Sequence, residues 1–426
     1  MQNRNFRKIL ATASLLTITS LSSNATATKY TGTGGAVVIE NGVNTANSDG
    51  AKVAWVANDS FVSGTSDNVT FGGTVGADVA TYDSNNKAPV NLNVARSSKI
   101  GSIVNSGAVT TSPLSIEDGV NIVTTAISGV NAKNQSQAGG NFSGLGAVTI
   151  GDGSEFVVGT NSAFANSFDS SGAENGSLTI NSGLSVAFTG DIGNNQVLKF
   201  INIGDNATAG FSDNTVNANT IMLSNQASTA IFSDSTINAA IEGKTAGAGI
   251  IKLNGTINEN STIGANFALN SVYVGDGTVF FNNTVAAKNL YINKGTANLQ
   301  NNVTGDVLFT GDGILNVLND LIIDGTVKTN QNNTGILTFS AAASVESVGS
   351  ANLRLKSVEF NSADIVNFTN PAITAHYATE YKFSNKGAIL QLAENHILGG
   401  KIVAAGRRHG CNQIFRCWCD QWNNRR

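Results

Sequence analysis

The body of the chain carries two histidines, His376 and His396, twenty residues apart near its C-terminal end. A Ser-His-Asp triad would set one of them beside an activated serine, and no G-x-S-x-G elbow surrounds any Ser. Both imidazoles therefore read as ordinary strand or turn residues. Gly-Asp-Gly turns beginning at Gly151, Gly275 and Gly311 raise the question of calcium. A calcium β-roll needs tandem nonapeptides, whereas these turns stand alone, and Asp and Gly favour tight turns on local grounds. Gly32-Thr33-Gly34-Gly35 has neither the preceding strand nor the following helix of a dinucleotide site. His409, Cys411, Cys417 and Cys419 spell H-x-C-x5-C-x-C, without the paired cysteine spacing of structural zinc. No catalytic, metal or cofactor-binding residue is assigned. Carboxylates grouped on one face of a rod are the remaining route to catalysis, as in enzymes acting on polysaccharide. Arg96 and Arg354 are the only arginines between residues 28 and 406, too few to stabilise enolate-like charge.

Whatever positions such groups is built from strands. Gly, Asn, Ser and Thr punctuate the chain every few residues, which breaks helices and favours turns. A short alternating apolar triplet recurs ahead of a turn, as in Val148–Ile150, Leu178–Ile180, Ile201–Ile203, Ile221–Leu223, Ile251–Leu253 and Val272–Val274. The series continues through Leu290–Ile292, Val307–Phe309, Leu321–Ile323 and Ile336–Phe339 to Leu353–Leu355. Two-residue alternation places alternate side chains on one face. Units spaced 14 to 30 residues apart are the signature of a solenoid, whose coils bury their faces only against one another. A β-sandwich would show longer strands, closer turns and no recurring motif. The expected fold is all-β, a right-handed parallel β-helix (β-solenoid) over residues 141–406. Ile150, Ile180, Ile203, Val274, Ile292 and Ile323 should point inward, and asparagines should stack as amide ladders at equivalent turns. About 13 coils at roughly 4.8 Å each would make a rod about 60 Å long. Residues 28–140 are less regular and read as an N-terminal cap over the first coil's exposed edge.

The whole chain is 426 residues, 41% hydrophobic and 13% charged, with a formal net charge of −4. It is long enough for a sizeable core and too apolar for disorder. The acidic balance excludes the basic footprint of a nucleic-acid binder. Arg4, Arg7 and Lys8 precede the apolar run Ile9–Leu21, and Ala25-Thr26-Ala27 supplies the small residues of a signal-peptidase site. Residues 1–27 thus read as a signal peptide cut between Ala27 and Thr28. Crossing a membrane takes about 20 apolar residues, and no stretch reaches that length, so the mature chain is expected to hold no transmembrane segment. Residues 28–410 lack Cys, so the exported body must hold together by backbone pairing and packing. Residues 407–426 use a different vocabulary, with all three Cys and two of the three Trp. Shifting the codons of Cys417 to Asn423 by one base, using only bases that those residues force, gives [VA]-G-[VA]-[IT]-[NS]-G-[IT]. That is the vocabulary of the body, so the segment reads as an out-of-frame tail of a gene that once continued.

Thr189-Gly-Asp-Ile-Gly-Asn194 and Phe200-Ile-Asn-Ile-Gly-Asp-Asn-Ala-Thr208 sit in this Asn/Gly/Thr-rich body. They resemble the passenger domains of rickettsial surface cell antigens, the autotransporter family of outer membrane proteins A and B. The resemblance covers residues 140–405. It implies a β-helical passenger carried across the outer membrane by a C-terminal barrel. Such a passenger serves adhesion, through a host-cell surface receptor, or a surface layer formed with neighbouring proteins. No run of about ten-residue amphipathic barrel strands follows the body, so the chain is expected to stop short of its translocating barrel. The product would then occupy the periplasm, or the outer membrane and cell surface if a barrel is supplied. The expected function is a non-catalytic exported surface protein; the alternative is a β-helical enzyme acting on polysaccharide.

Overall fold

The structure, a computed structural model, describes residues 161–404 apart from 166, 171, 374 and 394, and before them the strands between Lys29 and Val158. Among the described residues every regular element is a strand, and no helix is long and apolar enough to cross a membrane. Each coil crosses three faces. Thr208–Ser212 lies on the first face, and the strand Thr215–Leu223 then covers the second and third. That strand turns its corner where the register shifts between Asn217 and Thr220. A turn at residues 224–228 leads to Thr229, which pairs with Thr208 to begin the next coil.

Each face pairs in parallel with the same face of the coils before and after it. On the second face the register runs through Phe168, Ile192, Val216, Ile237, Glu259 and Phe281. It continues through Leu299, Val317, Phe339, Phe360 and Phe383 to Ala404. Coils of 18 to 24 residues follow from that register, and the chain completes about 12 turns. It is the parallel β-solenoid that the triplet recurrence implies.

Alternation decides which side chains enter the core. Ile150, Ile180, Ile203, Ile292 and Ile323 are wholly buried, and Val274 is 1% exposed, as expected of inward triplet positions. Burying each such side chain contributes about 1.5–3 kcal/mol. Parallel strands hold equivalent residues at stacking distance, so like residues form columns inside the rod. Phe164, Phe188, Phe211 and Phe232 on the first face stack with ring centroids 5.3, 5.3 and 5.0 Å apart. The triplets are spaced unevenly because they belong to different faces: Ile201–Ile203 lies on the third, Ile251–Leu253 on the first and Ile336–Phe339 on the second. One triplet reading needs correction. Leu353 lies in a bend at residues 351–353 and is 39% exposed, while Leu355 alone begins the inward alternation.

Parallel pairing also crosses residue 140. Ser98–Asn105 pairs with Asn121–Gly129, which pairs in turn with Glu155–Val158. Nearer the N-terminus, Gly35–Ile39 pairs in parallel with Asp67–Phe71 on one edge. On its other edge it pairs antiparallel with Asn44–Thr45, which pairs antiparallel with Lys52–Val53.

Candidate functional site

Ala25, Ala27 and Thr28, the turn at Gly151, and His409, Cys411, Cys417 and Cys419 lie outside the described residues. The two body histidines come together. His376, fully buried on the strand Ala375–Phe383, sets Nε2 3.0 Å from Nδ1 of His396, with its ring 4.6 Å from that of Phe368. Burial, and then the proximity of His396, pull the His376 pKa down to about 4, so the ring is neutral at pH 7. Its Nδ1 has no hydrogen-bond partner. One coil is 22 residues here, with His376 in register with Leu398, so His396 two positions earlier comes beside it although far away in sequence. Among the described residues no three His, Cys, Asp or Glu side chains converge as a metal site would require.

The Gly-Asp-Gly segments at Gly275 and Gly311 are corners of the rod. Gly277 has φ of +105°, and a Cβ there would run into the Gly255 backbone of the preceding coil. Asp312 faces the Lys356 ammonium at 3.2 Å. Several other carboxylates bind the backbone of the following coil. Asp191 accepts from the Thr215 N–H at 2.8 Å, Asp234 from Thr256 at 2.8 Å and Asp306 from Thr326 at 2.9 Å.

Two further acids form matching clamps. Buried Asp169 accepts from the Asn195 backbone and side-chain amides at 2.9 and 3.0 Å. Buried Glu242 accepts from the Asn266 N–H at 3.2 Å and from the Phe267 N–H at 3.2 Å. Each clamp receives a turn of the form Ile-Gly-x-Asn, at Ile192–Asn195 and Ile263–Asn266. That repeat, preceded by an acid about one coil earlier, was the signal available in the sequence, and the triplet reading passes over it.

Glu259 stands apart. It occupies the second-face register between Ile237 and Phe281 and is fully buried. One carboxyl oxygen accepts from the Ser261 N–H at 2.9 Å, and Oε2 has no partner. Burial drives its pKa up to about 8, against the lowering effect of that single hydrogen bond, so the group is mostly a neutral acid at pH 7.

The outer surface carries polar ladders alongside exposed apolar side chains such as Ile322 and Ile397. Asn238 donates to Asn217 at 2.6 Å, Asn260 to Asn238 at 2.7 Å and Asn282 to Asn260 at 2.7 Å, an amide ladder over four coils. A second rung pair joins Asn316 to Asn298 at 2.9 Å. On the first face, Tyr273 and Tyr291 stack with centroids 4.5 Å apart and planes within 11°.

No protein-family model matches the chain, and no solved structure matches it. It is similar to Outer membrane protein A of Rickettsia rickettsii, with 26% identity over 409 residues. The match covers 91% of this chain and 18% of the relative, so the chain spans less than a fifth of that protein's length. This similarity, carried on a parallel β-solenoid, is consistent with a rickettsial autotransporter-like family.

Proposed function

We propose that the chain is an exported, non-catalytic passenger-type rod that presents its outer ladders at the cell surface or outer membrane. Its role there is adhesion to a host-cell surface receptor, or a surface layer made with neighbouring proteins. The observation that carries this reading is similarity to an outer membrane protein over 91% of a chain that forms a β-solenoid. The carboxylates support it, because those of Asp169, Asp191, Asp234 and Glu242 are engaged by backbone amides of neighbouring coils. Groups held in that way serve the stacking of coils. Export begins with residues 1–27, cut between Ala27 and Thr28. The N-terminal cap is read as residues 28–140. Its strands Ser98–Asn105 and Asn121–Gly129 already stack in parallel towards the coils that follow, and the antiparallel pairing of Gly35–Ile39 with Asn44–Thr45 covers the edge farthest from them.

Antibody against residues 161–404, applied to intact producing cells with and without external protease, tests the location. Beads coated with the full chain test the role. Surface staining lost on protease treatment, a mature N-terminus at Thr28, and bead attachment to host cells above an albumin control are the expected results. Protein confined to the cytosol with Met1 intact would overturn the reading.

A further inference from the structure

We propose that a patch on the first face, built around Tyr273 and Tyr291, binds an acidic saccharide chain bearing carboxylate or sulfate groups. The proposal rests on the adhesive reading above and gives it a ligand class. Lys252, Tyr273 and Tyr291 occupy successive rungs of one outward column. Tyr273 is 36% exposed, and the close stack fixes both rings so that their hydroxyls lie on adjacent rungs. Rigid aromatic side chains offer contact area at low entropic cost, which is why Tyr is enriched where surfaces recognise ligands.

Beside the stack, Gly275 leaves a notch lined also by Asn254, Asn293 and Thr310. Asn254 and Asn293 lay their Oδ1 atoms over Gly275 and Gly311 of the next coil, and each amide carries an NH2 donor beside that acceptor. The patch therefore presents an ammonium, which only donates, together with two phenols and two amides that can each donate. Its charge fits the same ligand. Lys328, Lys356, Lys382 and Lys401 each face a carboxylate, whereas Lys252, like Lys244, Lys288, Lys294 and Lys386, has no ion pair among the described residues, and of these unpaired lysines Lys252 is the one lining the notch. Lys252 is also the one charged residue in that lining. The adjoining corners carry Asp234, whose Oδ1 accepts from the Thr256 N–H, with Asp276 and Lys294, while Asp312 and Asp306 are held by Lys356 and Lys328.

A lining whose one charge is an ammonium, flanked by phenols and amides able to donate, calls for an acceptor-rich anion, and charge-assisted hydrogen bonds are the stronger kind. The patch is shallow and runs along the rod from Lys252 to Thr310, three rungs or roughly 14 Å. It fits a few linked sugar units lying parallel to the axis. Being open to solvent, the contact should weaken as salt rises.

The test is retention of the immobilised full chain on three probes: a heparin octasaccharide, a hyaluronan octasaccharide carrying carboxylates only, and neutral maltooctaose. Saturable, salt-sensitive binding of one or both acidic chains is expected, with maltooctaose unbound; the hyaluronan arm separates carboxylate from sulfate recognition. Lys252→Gln, and the pair Tyr273→Phe with Tyr291→Phe, should each weaken binding at least tenfold at an unchanged thermal midpoint. Phe preserves the stack and removes only the hydroxyls. Lys401→Gln removes the same charge elsewhere and should leave binding as it was. Equal binding of maltooctaose, binding unaffected by the patch variants, equal loss in Lys401→Gln, or no binding of either acidic chain would overturn the proposal. Surface display and host-cell attachment persisting alongside such a failure would leave the adhesive reading standing and remove only this ligand.

Discussion

Glu259 and His376 are buried titratable groups that pull stability in opposite directions with pH. The Glu259 carboxyl, raised from 4.5 to about 8, contributes fully below pH 4.5 and loses that contribution as pH rises to about 8. His376, lowered from 6.5 to about 4, contributes fully above pH 6.5 and loses that contribution as pH falls towards 4. Between pH 4.5 and 6.5 the two slopes oppose each other, so these groups place the stability plateau there. Within its own window each changes stability by about 1.4 kcal/mol per pH unit. Thermal melting from pH 4 to 9 should show a fall above pH 6.5 that Glu259→Gln abolishes, and Glu259→Leu should raise the midpoint at pH 8 by several degrees. A wild-type slope retained in both variants would contradict the buried neutral acid. Neither residue was legible as a special site in the sequence. Ile257-Asn258-Glu259 continues the inward alternation, but a charged type at the end of it reads as outward. The histidine spacing is informative only once the coil length is known.

At the scale of the strand the alternation was readable, because a period of two needs only neighbouring residues. Coil length was less so, since triplets from three faces interleave along one sequence. Leu353 shows how composition misleads: Leu353-Arg354-Leu355 has the triplet pattern, yet its first residue belongs to a bend. The inward and outward assignments make adjacent positions behave differently. Ile292→Asp places a charge among buried apolar side chains and should cost 4 kcal/mol or more, about the upper end for single substitutions. Asn293→Asp, on the exposed side, should cost about 1 kcal/mol or less. Denaturant titration of the two variants checks this, and equal shifts would refute the register. The amide ladder predicts a smaller effect. Asn260→Ala removes a hydrogen bond to each neighbour, Asn238 and Asn282, and should cost about 1–2 kcal/mol.

For the whole molecule, the three-face coil is the unit of architecture, and its boundaries can be cut. Thr229 and Ile250 stand in register on the first face, so deletion of residues 229–249 removes one complete turn and joins equivalent positions. The product should remain a folded rod shortened by about 4.8 Å. Deletion of residues 229–238 takes out about half a turn and should fail to fold, because every later face would meet the wrong partner. Circular dichroism and small-angle scattering distinguish these outcomes; equal damage from the two deletions would contradict the coil plan. The register has one more consequence, in time instead of space. On the second face from Phe168 onward, each rung meets its partner 18 to 24 residues away, a short loop to close for an all-β chain. A strand can thus find its partner as soon as one further coil of chain is available, without waiting for a distant segment. A polypeptide emerging end first through a narrow passage can add one turn at a time to an existing template, and each added turn opposes slippage back through the opening.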